Sequence, residues 1–289
     1  MLTFFTDTDL DFSRKEAEEN GFKLISMPYS YDGKTIYPYV DFDEFDGHAF
    51  YDMLRKGVLP TTSAISEVEY RNYFEPEFAA GNDILYVHFS AAMTVTFDVM
   101  NRVVAELKAK YPERKFYDID VKGITVIGYA ITNEALKLYK AGKTAEEIVE
   151  WSKTEVDHFA MYFFADDLKF FRRSGRVSGL SATMGGLIGL RPIIHMSSEG
   201  KMVSLGTVKG RIKAMERLIN TVEEIGSDVK KYPIYIGHLD AMDLVNQFSD
   251  LLKQRLGNDL DIRVVQVNPT AGSHCGPNGL GVCFHALHR

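Results

Sequence analysis

The sequence has one tryptophan, two cysteines and no long apolar run. No stretch approaches the roughly 18 consecutive apolar residues that a membrane-spanning helix needs, so a span is excluded. The opening "MLTFFTDTDLDF" lacks the basic segment of a signal peptide and turns acidic at once. Cys275 and Cys283 lie near the C-terminus and read as reduced thiols of a cytoplasmic protein. Nucleotide motifs are missing too. "AGKT" at Ala141 to Thr144 ends like a P-loop, but Lys137 stands where the motif needs the glycine that bends backbone around phosphate. "GPNGLG", Gly276 to Gly281, has too little chain after it for a dinucleotide-binding unit. Neither G-x-S-x-G nor H-E-x-x-H occurs. His274, Cys275, Cys283, His285 and His288 crowd the C-terminal end without a paired spacing such as C-x-x-C. Zinc wants four ligands in a tetrahedron, so no metal is expected. The net charge of −7 argues against nucleic acid as the main partner.

What is present is ordinary globular composition, 45% apolar and 25% charged. A chain of 289 residues exceeds what one hydrophobic core usually serves. Two domains are expected, 1–158 and 159–289. The first reads as strands alternating with helices, a mostly parallel α/β sheet. Capping boxes at Ser13/Glu16, Ser66/Glu69 and Thr144/Glu147 mark helix starts. Asp32-Gly33 marks a hairpin. The second half reads as α+β with a mixed or antiparallel sheet, including a hairpin about Ser198 to Gly200. Trp151 reads as a packing residue.

Three polar positions follow apolar segments: Thr61-Thr62-Ser63, Ser90 and Ser273-His274. Ligands of parallel α/β sheets bind outside the carboxyl ends of the strands, and Ser90 stands at such an end. Hydroxyls and an imidazole N–H are neutral donors able to hold a carboxylate in an apolar pocket. Such a group is costly to bury unless hydrogen bonds replace its water. The plain alternative is that these residues cap helices and turns. A hydrolase using His274 with Ser90 or Cys275 is the competing class. It requires a base oriented by a third group, and no carboxylate adjoins either loop in sequence. Asp7, Asp9 and Asp11 read as turn and N-capping chemistry after the first strand.

Several stretches together resemble the DegV family. "TDTDLDF" resembles T-D-S-x-x-D-L, "PTTSAIS" resembles P-x-T-S-Q-P-S, and "FSAAMTVTF" is similar to L-S-S-x-L-S-G-T-Y. "DDLKFFRRSGRVS" is similar to D-D-L-x-x-L-x-x-G-G-R-I-S, and "VKGRIKAM" to V-R-G-R-x-K-A. "AGSHCGPNGLG" resembles I-G-x-H-x-G-P-G-x-L-G. The resemblance implies two α/β domains with a long-chain fatty acid buried between them. It implies no cofactor, and Thr62, Ser90 and His274 as donors to the acyl carboxylate. Arg176 would stand near the pocket mouth. The resemblance also implies a non-catalytic role: a separate ATP-dependent fatty acid kinase docks and phosphorylates the bound acid. A lipid sensor without such a partner is the remaining reading. Arg172, Arg173, Arg176 and Arg191, with Lys209, Arg211 and Lys213, suggest a basic docking face, and transient contact with a membrane surface fits this picture. The glycine-rich segment between them is read as a cover over the tail or as an interdomain helix. Ala91 and Val95 depart from the family's serine and glycine.

Overall fold

The computed structural model describes residues 1–166, 168–179 and 189–289. In the first half the order is β1 (Leu2–Asp7), α1 (Arg14–Asn20), β2 (Lys23–Ile25), β3 (Tyr29–Tyr31), β4 (Lys34–Ile36), α2 (Gly47–Arg55), β5 (Thr61–Thr62), α3 (Glu67–Ala79), β6 (Asp83–His88), α4 (Thr96–Lys110), β7 (Phe116–Asp120), α5 (Val126–Lys140) and α6 (Ala145–Glu155). The second half continues with β8 (Phe159–Phe164), α7 (Leu168–Ser174), β9 (Val177–Ser178), β10 (Leu190–Met196), β11 (Met202–Lys209), α8 (Arg211–Ile225), β12 (Ile234–His238), α9 (Met242–Leu256), β13 (Ile262–Gln266), α10 (Pro269–Cys275) and β14 (Leu280–His285).

The first sheet runs β2-β1-β6-β7, every pair parallel. β6 is almost wholly buried, as expected of a strand covered on both faces. A small antiparallel sheet, β4-β3-β5, stands beside it. Its β3–β4 turn puts Asp32 and Gly33 at φ 49° and 73°, the left-handed pair that suits a tight hairpin. The second sheet runs β13-β12-β14-β8-β10-β11-β9 and is mixed. β8, β14 and β10 pair antiparallel, while β12–β13 and β11–β9 are parallel. The α/β architecture expected from the sequence is therefore observed, parallel in the first part and mixed in the second.

All three capping boxes form, each with the side chain of the cap and of the third helical residue bonded reciprocally. α8 and α9 bury one apolar stripe each, including Met215, Leu218 and Ile219 from α8 and Leu244 and Phe248 from α9, against the second sheet. α5 packs against both β8 and β14, so it joins the two halves. A continuous core runs from Phe4 and Leu85 of the first sheet to Met161 and Cys283 of the second.

The helix after Ser90 begins at Thr96, with a 3-10 turn over Ala91–Met93 before it. One stretch differs from expectation. The stretch Ala271 to Cys275 is not a loop. It lies in α10, where Asn268 caps Ala271 N and Pro269 takes the first turn. Asn-Pro ahead of small residues is a helix start: the amide side chain accepts from a free N–H, and proline's fixed φ suits the first position. The glycine-rich segment read as a cover or an interdomain helix spans residues 177–190; its ends lie in β9 and β10, and its middle, 180–188, lies outside the described residues.

Candidate functional site

A cavity of about 730 Å³ lies between the halves. Its walls come from both: Met27, Phe89 and Ile124 on one side, Met161, Phe163 and Leu239 on the other. That volume falls within the few hundred to a thousand Å³ typical of small-molecule sites. The lining is chiefly apolar, with a few polar groups placed by particular elements.

The clearest of these is a pair. Thr62 ends β5, whose register on β3 sets it opposite Tyr29. His274 sits in the last turn of α10. Their side chains meet, Thr62 Oγ1 to His274 Nε2, at 2.8 Å, and both line the cavity. α10 is held close by Gly272, where a Cβ would stand 2.6 Å from Tyr51 Oη. The other glycines of the stretch serve packing as well: Gly276, at φ 73°, lies against Phe170, and of Gly272, Gly276, Gly279 and Gly281 only Gly281 lines the cavity. Burial pushes the His274 imidazole down to about 4, helped by the Arg176 and Arg173 charges. It is therefore neutral at neutral pH. With hydrogen on Nε2 it donates to Thr62, which leaves the threonine hydroxyl hydrogen free for an anionic group.

Ser90 does not join this pair. It is fully buried, and its hydroxyl donates to the Gly200 carbonyl at 2.8 Å while accepting from Ala92 N. It clamps the β10–β11 turn onto the end of β6. The sequence expectation of a carboxylate donor there meets a physical obstacle: the hydroxyl hydrogen is committed to backbone. The hydroxyl that lines the cavity from this loop is Thr94, four residues on. Its oxygen accepts from Thr96 N, so its hydrogen is free to donate.

The arginines divide by role. Arg176 lines the cavity and donates to the carbonyls of Met93 and Ser174. Arg173 donates to the carbonyls of Leu59 and Pro60, just ahead of Thr62, and so steadies the approach to β5. Arg172 is exposed. Arg191 and Arg211 both bond Asp166, which removes them from a free basic face. A hydrolase finds little support in these contacts. The Ser90 hydroxyl bonds Gly200 and not His274, and burial drives the Cys275 thiol up to about 12.

The acidic turn is deeper than local chemistry suggests. Asp7 caps the 3-10 turn Thr8–Leu10, yet it is completely buried and accepts from Tyr86 Oη and Phe89 N. Asp9 is also buried and lines the cavity. Asp11 Oδ1 accepts from Asn268 N and Nδ2. Burial pushes Asp7 up to about 7, Asp11 up to about 8 and Asp9 well above its usual range. Among the described residues no cluster of His, Cys, Asp and Glu is arranged to hold a metal ion, and no helix is long and apolar enough to cross a membrane.

Fold and site together define an α/β protein with two main sheets and a small third one, an apolar cavity between its halves and a threonine–histidine pair in the cavity wall. Residues 2–287 match the family model described as "Uncharacterised protein, DegV family", and the chain belongs to the DegV family. A DegV domain-containing protein of Clostridium perfringens is 25% identical over 98% of this chain and 97% of its own length. One of Clostridium acetobutylicum is 27% identical over 97% of each. Among solved structures, a stearic acid-binding protein from Eubacterium ventriosum superposes with a TM-score of 0.85 at 18% identity, covering 98% of this chain and 97% of that one. A fatty acid binding DegV family protein from Streptococcus agalactiae gives 0.83 at 23% identity over 99% of both. These likenesses show the fold.

Proposed function

We propose that this chain binds a long-chain fatty acid, with the carboxylate at Thr62 and His274 and the tail along the apolar walls. The observation that carries the reading is the Thr62–His274 pair at 2.8 Å in the wall of a largely apolar cavity. Thr94 adds a second free hydroxyl. Arg173 and Arg176, near enough to depress the histidine, favour an anion at the same place. Tail burial stabilises by about 0.8 kcal/mol per methylene, so the long apolar part dominates affinity and the head sets orientation. Solved relatives described as binding fatty acids support this choice of ligand.

The acid so held is presented to a separate ATP-dependent fatty acid kinase, which transfers phosphoryl to the carboxylate and releases ADP. Arg172, exposed on α7, belongs to the docking face. The test combines two arms. Displacement of a fluorescent fatty acid measures binding in the unaltered protein, T62V and H274A; weaker binding in both variants is expected, and undiminished binding contradicts the head-group assignment. Acyl phosphate, trapped as hydroxamate, is then measured with a candidate kinase, ATP and the loaded protein. R172E is expected to bind fatty acid normally and to lose turnover. Binding without turnover by any candidate kinase reduces the protein to a lipid sensor.

A further inference from the structure

We propose that the cavity wall takes acyl chains of different shape, whether straight, kinked at a cis double bond or methyl-branched, with nearly equal affinity, and that its methionines are the residues responsible. The proposal rests on the fatty-acid reading and names the range of chains that the same site takes. The protein has 11 methionines, and five of them, Met27, Met93, Met161, Met196 and Met202, line this cavity. Nearly half of one residue type thus faces a single site. Both halves contribute: Met27 and Met93 come from the first, the other three from the second.

The backbone sets where these side chains stand. Along β8 successive residues alternate, so Met161 and Phe163 join the core shared with the first sheet while Ala160 and Phe164 pack with α8 and α9. Met196 and Met202 are opposite partners across the β10–β11 hairpin, which puts both on one face. The Met27 main chain is pinned at both ends, its N–H donating to Thr8 Oγ1 and its carbonyl accepting from Thr270 Oγ1. Met161 Sδ accepts from Thr125 Oγ1 at 3.9 Å, a weak bond. Methionine is unbranched, with three rotatable bonds and a polarisable sulfur, so it fills irregular gaps and suits surfaces that accept varied partners. Two aromatic walls are stiff by comparison: Phe89 packs on Phe97 at 5.1 Å between ring centroids, and Phe163 on Phe171 at 5.9 Å. A stiff apolar pocket separates ligands that differ by one methylene by roughly tenfold or more. A kink or a methyl branch pushes a chain sideways by a comparable amount, and rotation of the thioethers absorbs it. Of the four buried methionines, Met161 and Met202 keep the most open surface, 7% and 5%, and are the ones to replace.

The experiment is competition for a fluorescent fatty acid by hexadecanoic, cis-9-hexadecenoic and 14-methylpentadecanoic acids. Their equal carbon number keeps the burial contribution nearly constant, so differences report shape. The unaltered protein is expected to bind all three within about threefold. M161I/M202I puts β-branched side chains of similar volume into two strands, which strands and cores accept, and is expected to spread the three affinities by about tenfold. Where that variant fails to fold, M161L/M202L is read in the same way. A spread wider than about threefold in the unaltered protein overturns the adaptable wall and leaves the fatty-acid reading standing. So does an even profile that survives the substitutions in a folded variant. If none of the acids binds, the fatty-acid reading falls and this inference with it.

Discussion

At the scale of single residues, the site depends on which hydroxyl hydrogens are free. With the His274 proton on Nε2, Thr62 gives its oxygen to the imidazole and keeps its hydrogen for a ligand; Ser90 gives its hydrogen to Gly200. T62V is therefore expected to weaken fatty acid binding by about 1.5–3 kcal/mol, the range of a hydrogen bond to a charged group, or roughly ten- to a hundredfold, read by isothermal titration. S90A is expected to leave affinity within about threefold and to lower stability instead, by about 1–3 kcal/mol for the carbonyl left unpaired, read by urea denaturation. The opposite pattern would assign the head group to Ser90. The His274 imidazole, held down to about 4 by burial and by Arg176 and Arg173, should stay neutral in an NMR titration from pH 8 to 5. A midpoint near 6.5 would contradict the burial described here. Replacing both arginines by alanine is expected to raise it.

Elements show what was legible and why. Capping boxes and the Asp32-Gly33 turn are local codes: a side chain meets backbone three residues away, or two residues adopt a left-handed turn, and the sequence states both partners. β5 as Thr61–Thr62 is also local in composition, but its use depends on α10, 212 positions along the chain from Thr62 to His274. Asn268-Pro269 is a local helix start for α10 that went unread, because the glycines of the same stretch suggested a loop. Glycine's absent side chain matters there for contact with Tyr51 and Phe170, which no local pattern reveals. Ser90 misled for the same reason, since its partner Gly200 is 110 positions away. Thr94 carried a signal, a threonine in the strand-end motif, that was overshadowed by the more prominent Ser90. The burial of Asp7 and Asp9 had no sequence signature beyond the apolar residues flanking them.

For the whole molecule, two sheets sharing one core leave a cavity between the halves, and the acids of the turn after β1 tie stability to pH. Burial pushes Asp7 up to about 7 and Asp11 up to about 8 in the fold, against roughly 3.9 in an unfolded chain. Between those values the native state holds more protons than the unfolded state. Their contribution is therefore fully present below about pH 4 and is lost as pH rises through 7 to 8. D11N keeps the acceptor to Asn268 and removes the titration. Between pH 6 and 9 the unaltered protein is expected to lose stability relative to D11N, at up to about 1.4 kcal/mol per pH unit for one proton. Parallel urea midpoints across that range would contradict the placement of Asp11. The most direct test of the central claim is native mass spectrometry of the protein purified from a lipid-replete host, followed by denaturing extraction. A mass shift that releases one fatty acid per chain, weakened in T62V and H274A, is the predicted result. A protein that carries no acyl chain, and takes none up from added fatty acid, would contradict it.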